Sequence, residues 1–305
     1  MIILVLLAVV LTLLLPEPAQ AWGGGIHLQL GTMVLGNLSA LSPNLAALLV
    51  AHPHDFLYGC ISADITLGKK FTHSMLNCHR WRIGQKVLHS ARTDSQRACA
   101  YGYLCHLAAD VVAHNYYVPY KIMRSFGTVT MKHAYWEMRF ETFVAKNIWE
   151  TAQHVCHTDQ QANDALMRNV LTPTIFSFGT NKRIFNSIML LSRLEKWQKV
   201  MKTLSDNSRY QLAESDRDEY LKLAEEAVYG FLQNPRESEI LLADPTGERA
   251  LAMAEAVRKN LKLLYRSGKL TRAEGLEQVE MLRMKLRQAL HTPELLDDLH
   301  NNTAG

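Results

Sequence analysis

The stretch Tyr103-Leu-Cys-His106-Leu-Ala-Ala-Asp110-Val-Val-Ala-His114 decides how the chain is read. Three residues able to ligate a metal stand four apart in an otherwise apolar run. At roughly 100° per residue, steps of four keep one helical face, drifting by about 40° each time. A helix over Thr93–Val118, capped by Thr93 or Ser95 and closed by Pro119, points His106, Asp110 and His114 the same way. The Leu, Ala and Val between them suit a buried helix. Two imidazoles and a carboxylate on a packed face are costly unless something binds them. A divalent metal does so: both group types suit zinc, and a carboxylate can bridge two ions. The alternative is a partly exposed helix with hydrogen-bonded histidines.

Residues 2–15 are almost wholly apolar, Pro16-Glu17-Pro18 ends the run, and Ala19-Gln20-Ala21 has the small-x-small form of a signal-peptidase site. The run is short for a membrane span, which needs about 20 residues. The expectation is a signal peptide over residues 1–21, cleavage after Ala21, Trp22 as the new amino terminus, and an exported protein, periplasmic or secreted. An uncleaved anchor is the alternative. Loss of Glu17, the one charged side chain in the leader, moves the formal net charge from +4 to +5. That excess is mild and does not by itself point to nucleic acid. The five cysteines (60, 78, 99, 105, 156) are odd in number and form no CxxC pair. They read mainly as core residues, with one or two disulfides open in an oxidising compartment.

Helical periodicity runs along the whole chain and strand-type alternation is nearly absent, so the fold class is all-α. A helix is expected from about Thr130 to Trp149, and another from Asp159 to Val170. Beyond residue 190 the segments 190–204, 216–233, 247–266 and 271–290 are charged and helix-periodic, with Thr271 and Glu274 at capping-box spacing. The expected organisation is a metal-bearing helical domain over 22–190 and a charged helical extension over 191–305, either packed on the first or apart from it. Eleven of the thirteen histidines lie before residue 158, which assigns the chemistry to the first half.

That half holds further candidates. His27 follows the expected new terminus by five residues. Asp64 ends an apolar run, where a carboxylate has little reason to be buried without work. His73 lies in a loop-like stretch. His133 and Glu137 are again i and i+4 on one helix, and Glu141 continues that face. Singly, each has an ordinary explanation, from surface residue to exposed helix pair. His52, His54, His79, His89, His154 and His157 pair with no second ligand at helical spacing and read as non-ligands.

Jointly the pattern is specific. A mature amino-terminal Trp, a nearby His, an isolated Asp, a loop His, then H-x-x-x-D and H-x-x-x-E on successive helices resembles the zinc-dependent phospholipase C family, whose fold and metal site the S1/P1 nucleases share. The resemblance implies up to three zinc ions held by Trp22 (free amine and carbonyl), His27, His73, His106, bridging Asp110, His114, His133 and Glu137. Asp64 takes the place of the catalytic base or metal-water partner. It also implies hydrolysis of a phosphodiester, a phospholipid first, by metal-activated water, with peripheral membrane contact. The alternatives are an S1/P1-like single-strand nuclease, or a zinc-stabilised helical protein without turnover that binds a partner or membrane surface. His114 follows Asp110 by four residues where the small secreted phospholipases have six, a spacing that looks more like the amino end of glycosylphosphatidylinositol-specific phospholipase D. Gly25 and Ile65 stand where those small phospholipases place choline-recognising residues, so headgroup preference stays open. The resemblance covers residues 22 to about 145.

Overall fold

A computed structural model describes residues 22–66, 77–128, 133–172, 174, 176–206 and 212–296, with the side chains of 133, 134, 137, 138 and 204–206 outside the description. The expected leader 1–21 and His73 also lie outside it. Among the described residues the regular structure is helical, with no strand. In chain order the first helices are α1 (Gly24–Gly36), α2 (Pro43–Ala51), α3 (Pro53–Ser62) and α4 (Trp81–Ser90). The central helix α5 (Asp94–Val112) follows, then α6 (Val118–Arg124), α7 (His133–Glu141), α8 (Lys146–His157) and α9 (Gln161–Val170). The carboxy-terminal set is α10 (Phe178–Ser192), α11 (Glu195–Asp206), α12 (Glu214–Gln233), α13 (Glu248–Arg266) and α14 (Arg272–Ala289).

Helix α5 begins where Thr93 Oγ1 accepts the Gln96 N–H at 3.2 Å, satisfying a donor that a helix start leaves open. From Ala98 onward it is buried on nearly every side, the signature of a helix inside the core rather than on it. Pro119 does not close it. The chain runs from α5 through a π-helical turn, Ala113–Tyr117, straight into α6, and Pro119 stands at the start of that last segment. Proline lacks an N–H, and its ring presses on the carbonyl four residues back. The widened turn sends the Val118 N–H to Ala113 O, five residues back, and makes room for the ring. The single helix expected over 130–149 is likewise two. Its chain tightens at 142–144, where Phe143 and Val144 N–H groups bond three residues back and Thr142 Oγ1 donates to Arg139 O.

Helices α3 and α5 meet backbone to backbone. A Cβ added at Gly59 would collide with the Cys99 carbonyl, and one at Gly102 with the Phe56 carbonyl. No other residue allows that approach, and it brings the Cys60 carbonyl against the side of α5. The helices beyond residue 190 bury their apolar sides in the same core. Phe231 of α12 stacks on Trp81 with centroids 5.8 Å apart, and Trp81 Nε1 donates to Ala243 O at 2.8 Å. Arg258 of α13 donates to Ser125 Oγ at 3.1 Å. Lys121, only 1% exposed, meets Asp216 of α12 at 2.6 Å. The Thr271–Glu274 capping box is formed at the start of α14. No disulfide joins the cysteines among the described residues.

Candidate metal centre

Asp110 is the middle of the site. Its two oxygens face different partners: Oδ2 lies 3.2 Å from His106 Nε2 and 3.3 Å from His79 Nε2, while Oδ1 lies 3.4 Å from His27 Nε2. Asp64 Oδ1 closes the first side, 3.2 Å from His79 Nε2 and 3.8 Å from His106 Nε2. All of these side chains are essentially sealed from solvent. Two sets, His27/His106/Asp110 and Asp64/His79/His106, bring one ligand atom from each member within 4.8 Å of the others.

Each ligand is placed by a local device. His106 Nδ1 donates to the Cys60 carbonyl at 2.8 Å, a contact that the Gly59–Gly102 approach makes possible. That bond leaves the Nε2 lone pair for a cation, the usual way a protein orients a ligating imidazole. His114 Nδ1 donates to Pro245 O at 2.6 Å, and Asn115 Nδ2 to Asp244 O at 2.8 Å. The turn ending at Gly247, whose φ is +59°, thus reaches from the carboxy-terminal half to the site, and a Cβ there would lie 2.5 Å from His114 Cβ. His27 is set by the start of α1. Glu141 accepts the Ile26 N–H at 3.0 Å, and Gly23 and Gly25 pass so close to its carboxyl that a Cβ on either would displace it. Burial pushes the Glu141 carboxyl up to about 7. Trp22, on the same segment, is buried with its ring 5.3 Å from Phe140 and 6.4 Å from Tyr117.

The electrostatics favour a cation. Burial opposes the Asp110 carboxylate, yet the imidazoles of His106 and His114 hold it well below the usual carboxylate range. Burial likewise opposes protonated His106, but Asp110 and Asp64 outweigh it and raise its pKa. At His27 burial wins, reinforced by His106, and the ring is held neutral, as a metal ligand must be. Both nitrogens of His27 and both oxygens of Asp110 are buried with no hydrogen bond among the described residues. Buried polar atoms are rarely left so, and each costs about 1–3 kcal/mol. A zinc ion fits this donor set of imidazole nitrogens and carboxylate oxygens.

His27, Asp64, His106 and Asp110, all singled out by sequence, are brought together, and His114 lies close enough to act on the Asp110 charge. The side chains of His133 and Glu137 on α7 lie outside the described residues, as does His73. His79, read as a non-ligand, is a correction: it stands between Asp64, His106 and Asp110. No helical spacing links it to them. It precedes α4 and arrives through tertiary packing, anchored where Tyr103 Oη donates to Cys78 O at 2.6 Å.

Residues 26–173 match the family described as zinc dependent phospholipase C. This stretch is a zinc-dependent phospholipase C family domain. It contains every candidate ligand named above except Trp22, four residues ahead of it. The match supports a zinc-dependent hydrolase, and the two buried His/Asp groups are where metal can sit. The family domain takes in α1 to α9, and the turn that buttresses its His114 comes from outside it. Neither the curated proteins nor the solved structures give a match to the chain.

Proposed function

We propose that the domain is a phospholipase C-type phosphodiesterase with Asp110 as the carboxylate shared between two metal positions. The observation behind this is the split of its oxygens between His27 on one side and His79 with His106 on the other. His106 has one nitrogen to give, because Nδ1 is spent on Cys60 O. The two three-residue sets therefore cannot both use it, and the consistent assignment would give one ion His79, His106 and Asp110 Oδ2, with Asp64 beside its open position. The second ion would take His27 and Asp110 Oδ1, completed by the Trp22 carbonyl and by the Trp22 amine that cleavage after Ala21 frees. By the family resemblance, His114 with His133 and Glu137 would hold a third. Zinc supplies polarisation of the phosphoryl oxygens and a water of lowered pKa. Asp64 orients the attacking water and takes up its proton, while the buried walls exclude bulk solvent. As the water oxygen bonds to phosphorus, the bond to the diacylglycerol oxygen breaks and that oxygen takes up the proton Asp64 received, giving diacylglycerol and a phosphorylated headgroup.

The reading includes export, since only a cleaved chain offers the Trp22 amine. Among the described residues no helix is long and apolar enough to cross a membrane. The test is metal content and amino-terminal sequence of protein exported with its own leader, followed by assays on phospholipid vesicles and single-stranded DNA. Two to three zinc per chain, Trp as first residue and diacylglycerol release are expected. Nucleotide release without lipid hydrolysis would make the domain a nuclease. Chelation that unfolds a zinc-loaded but inactive protein would make the metal structural.

A further inference from the structure

Helix α10 has one face on the site and another on solvent. Its inner residues Phe185 and Met189 are buried, and Met189 packs so tightly that a Cβ on Gly24 would lie 2.6 Å from its sulfur. The helix also packs on the turn Ala63–Ile65 that carries Asp64. Its outer face shows Ile184 and Ile188, one turn apart, both exposed. Phe176 just before α10, Leu194 at the α10–α11 turn and Val200 on α11 extend the apolar surface, each about half exposed. Charge on this segment is one-sided. From 176 to 203 the charged residues are Lys182, Arg183, Arg193, Lys196, Lys199 and Lys202 against Glu195 alone. Lys182 is held by Asp164 at 2.7 Å, while Arg183, Lys196, Lys199 and Lys202 are exposed.

Exposed aliphatic side chains set among lysines and arginines are the composition of a helix that lies in a membrane interface: the apolar groups enter the acyl boundary and the cations meet anionic headgroups. Of the other exposed apolar residues, Met281 and Met284 on α14 lie among mixed charges that include Glu277 and Glu280, Leu263 and Tyr265 form a separate pair on α13 beside Lys259 and Arg266, and Val50 and Leu242 stand on other elements. We propose that the outer face of α10 and α11 is the surface on which the protein docks to an anionic phospholipid bilayer, bringing the membrane to the Asp64 side of the metal centre. This rests on the phospholipid reading of the site, and the charge complementarity selects the occupant. The patch is small and lies on solvent-exposed helices, so docking is peripheral and reversible.

The experiment is co-sedimentation of the exported full chain with vesicles of phosphatidylcholine alone or with 30% phosphatidylglycerol. Comparing variants with the parent cancels whatever the leader contributes. The parent is expected to prefer phosphatidylglycerol vesicles by about 100-fold or more, an advantage that added salt weakens. The triple substitution Lys196→Gln, Lys199→Gln and Lys202→Gln should cut that partitioning on the order of 100-fold, at about fivefold per lysine. Ile184→Ser with Ile188→Ser should weaken binding to both vesicle types, and Met281→Ser with Met284→Ser should leave it unchanged. Hydrolysis of a short-chain phospholipid below its micelle concentration should be the same in all four proteins. If vesicle binding follows this pattern while no phospholipid is cleaved, the docking surface stands and the catalytic reading fails. Equal binding of parent and triple variant to anionic vesicles would overturn the docking proposal. So would a parent dimer that the Ile184→Ser, Ile188→Ser pair converts to monomer, because the face would then be an interface between copies.

Discussion

Replacing Gly102 by alanine tests the packing on which the metal centre stands. The added methyl would sit inside contact distance of the Phe56 carbonyl oxygen, 2.8 Å from Cys60 N and 3.0 Å from Gly59 Cα. All three are backbone atoms of α3, so no side chain can swing away. Ordinary contact between such atoms needs about 3.5 Å, and the two helices must part by on the order of 1 Å. Overpacking of this kind costs typically 1–3 kcal/mol, and the rigid neighbours put it at the upper end. Alanine returns about 1 kcal/mol of helix propensity. The net loss is about 2 kcal/mol, or a fall in Tm of roughly 3 °C for a chain of this size. The same movement pulls Cys60 O from His106 Nδ1, now 2.8 Å apart, so zinc affinity should drop together with stability. The assays are thermal unfolding by circular dichroism and zinc competition against a chromophoric chelator. Gly36, exposed at the end of α1 with nothing within 4 Å of an added Cβ, is the control. Gly36→Ala should be neutral or stabilise by about 0.5–1 kcal/mol. A Gly102→Ala protein with parental Tm and zinc affinity would refute the reasoning.

Three further expectations address the site and its supports. His79→Ala should lower zinc stoichiometry by about one ion per chain and abolish phosphodiester cleavage; full zinc occupancy by elemental analysis would remove His79 from the ligand set. Gly247→Ala forces a side chain into left-handed backbone beside His114, costing about 1–2 kcal/mol from conformation alone. It should weaken zinc binding 10–100-fold by displacing Pro245 O, and parental affinity would show that the turn does not hold His114. Burial pushes the Lys121 ammonium down to about 8 despite its pairing with Asp216. Since the unfolded lysine titrates near 10.4, the unfolded chain binds more protons between about pH 8 and 10.4, and this group makes stability rise with pH across that window. Lys121→Met leaves Asp216 paired with Arg283 at 3.2 Å and should flatten that rise by about 2 kcal/mol. Urea midpoints at pH 7.5 and 10 measure it, and parallel pH profiles for parent and variant would count against a buried charged lysine.

The sequence alone determined whatever depends on residues near each other along the chain. Helical periodicity set the fold class, since one hydrogen-bonded turn spans four residues and amphipathic spacing repeats with it. The same arithmetic put His106 and Asp110 on one face, and the capping-box residues Thr271 and Glu274 marked the start of α14. Asp64 was legible as a carboxylate closing an apolar run, and the joint pattern that brought in His27 pointed to the family that residues 26–173 match.

Tertiary structure decided the rest, because it turns on contacts between segments far apart in the chain. His79 joins Asp64 and Asp110 only after α3 and α5 close on Gly59 and Gly102, an approach set by two missing side chains rather than by any spacing of ligands. Pro119 reads as a stop in one dimension, but a widened turn and a buried environment keep the helix going. The boundary near residue 190 marks a change in surface charge. It is no boundary in packing: Pro245 fixes His114 and Phe231 stacks on Trp81, and no composition along the chain reports which surfaces will meet.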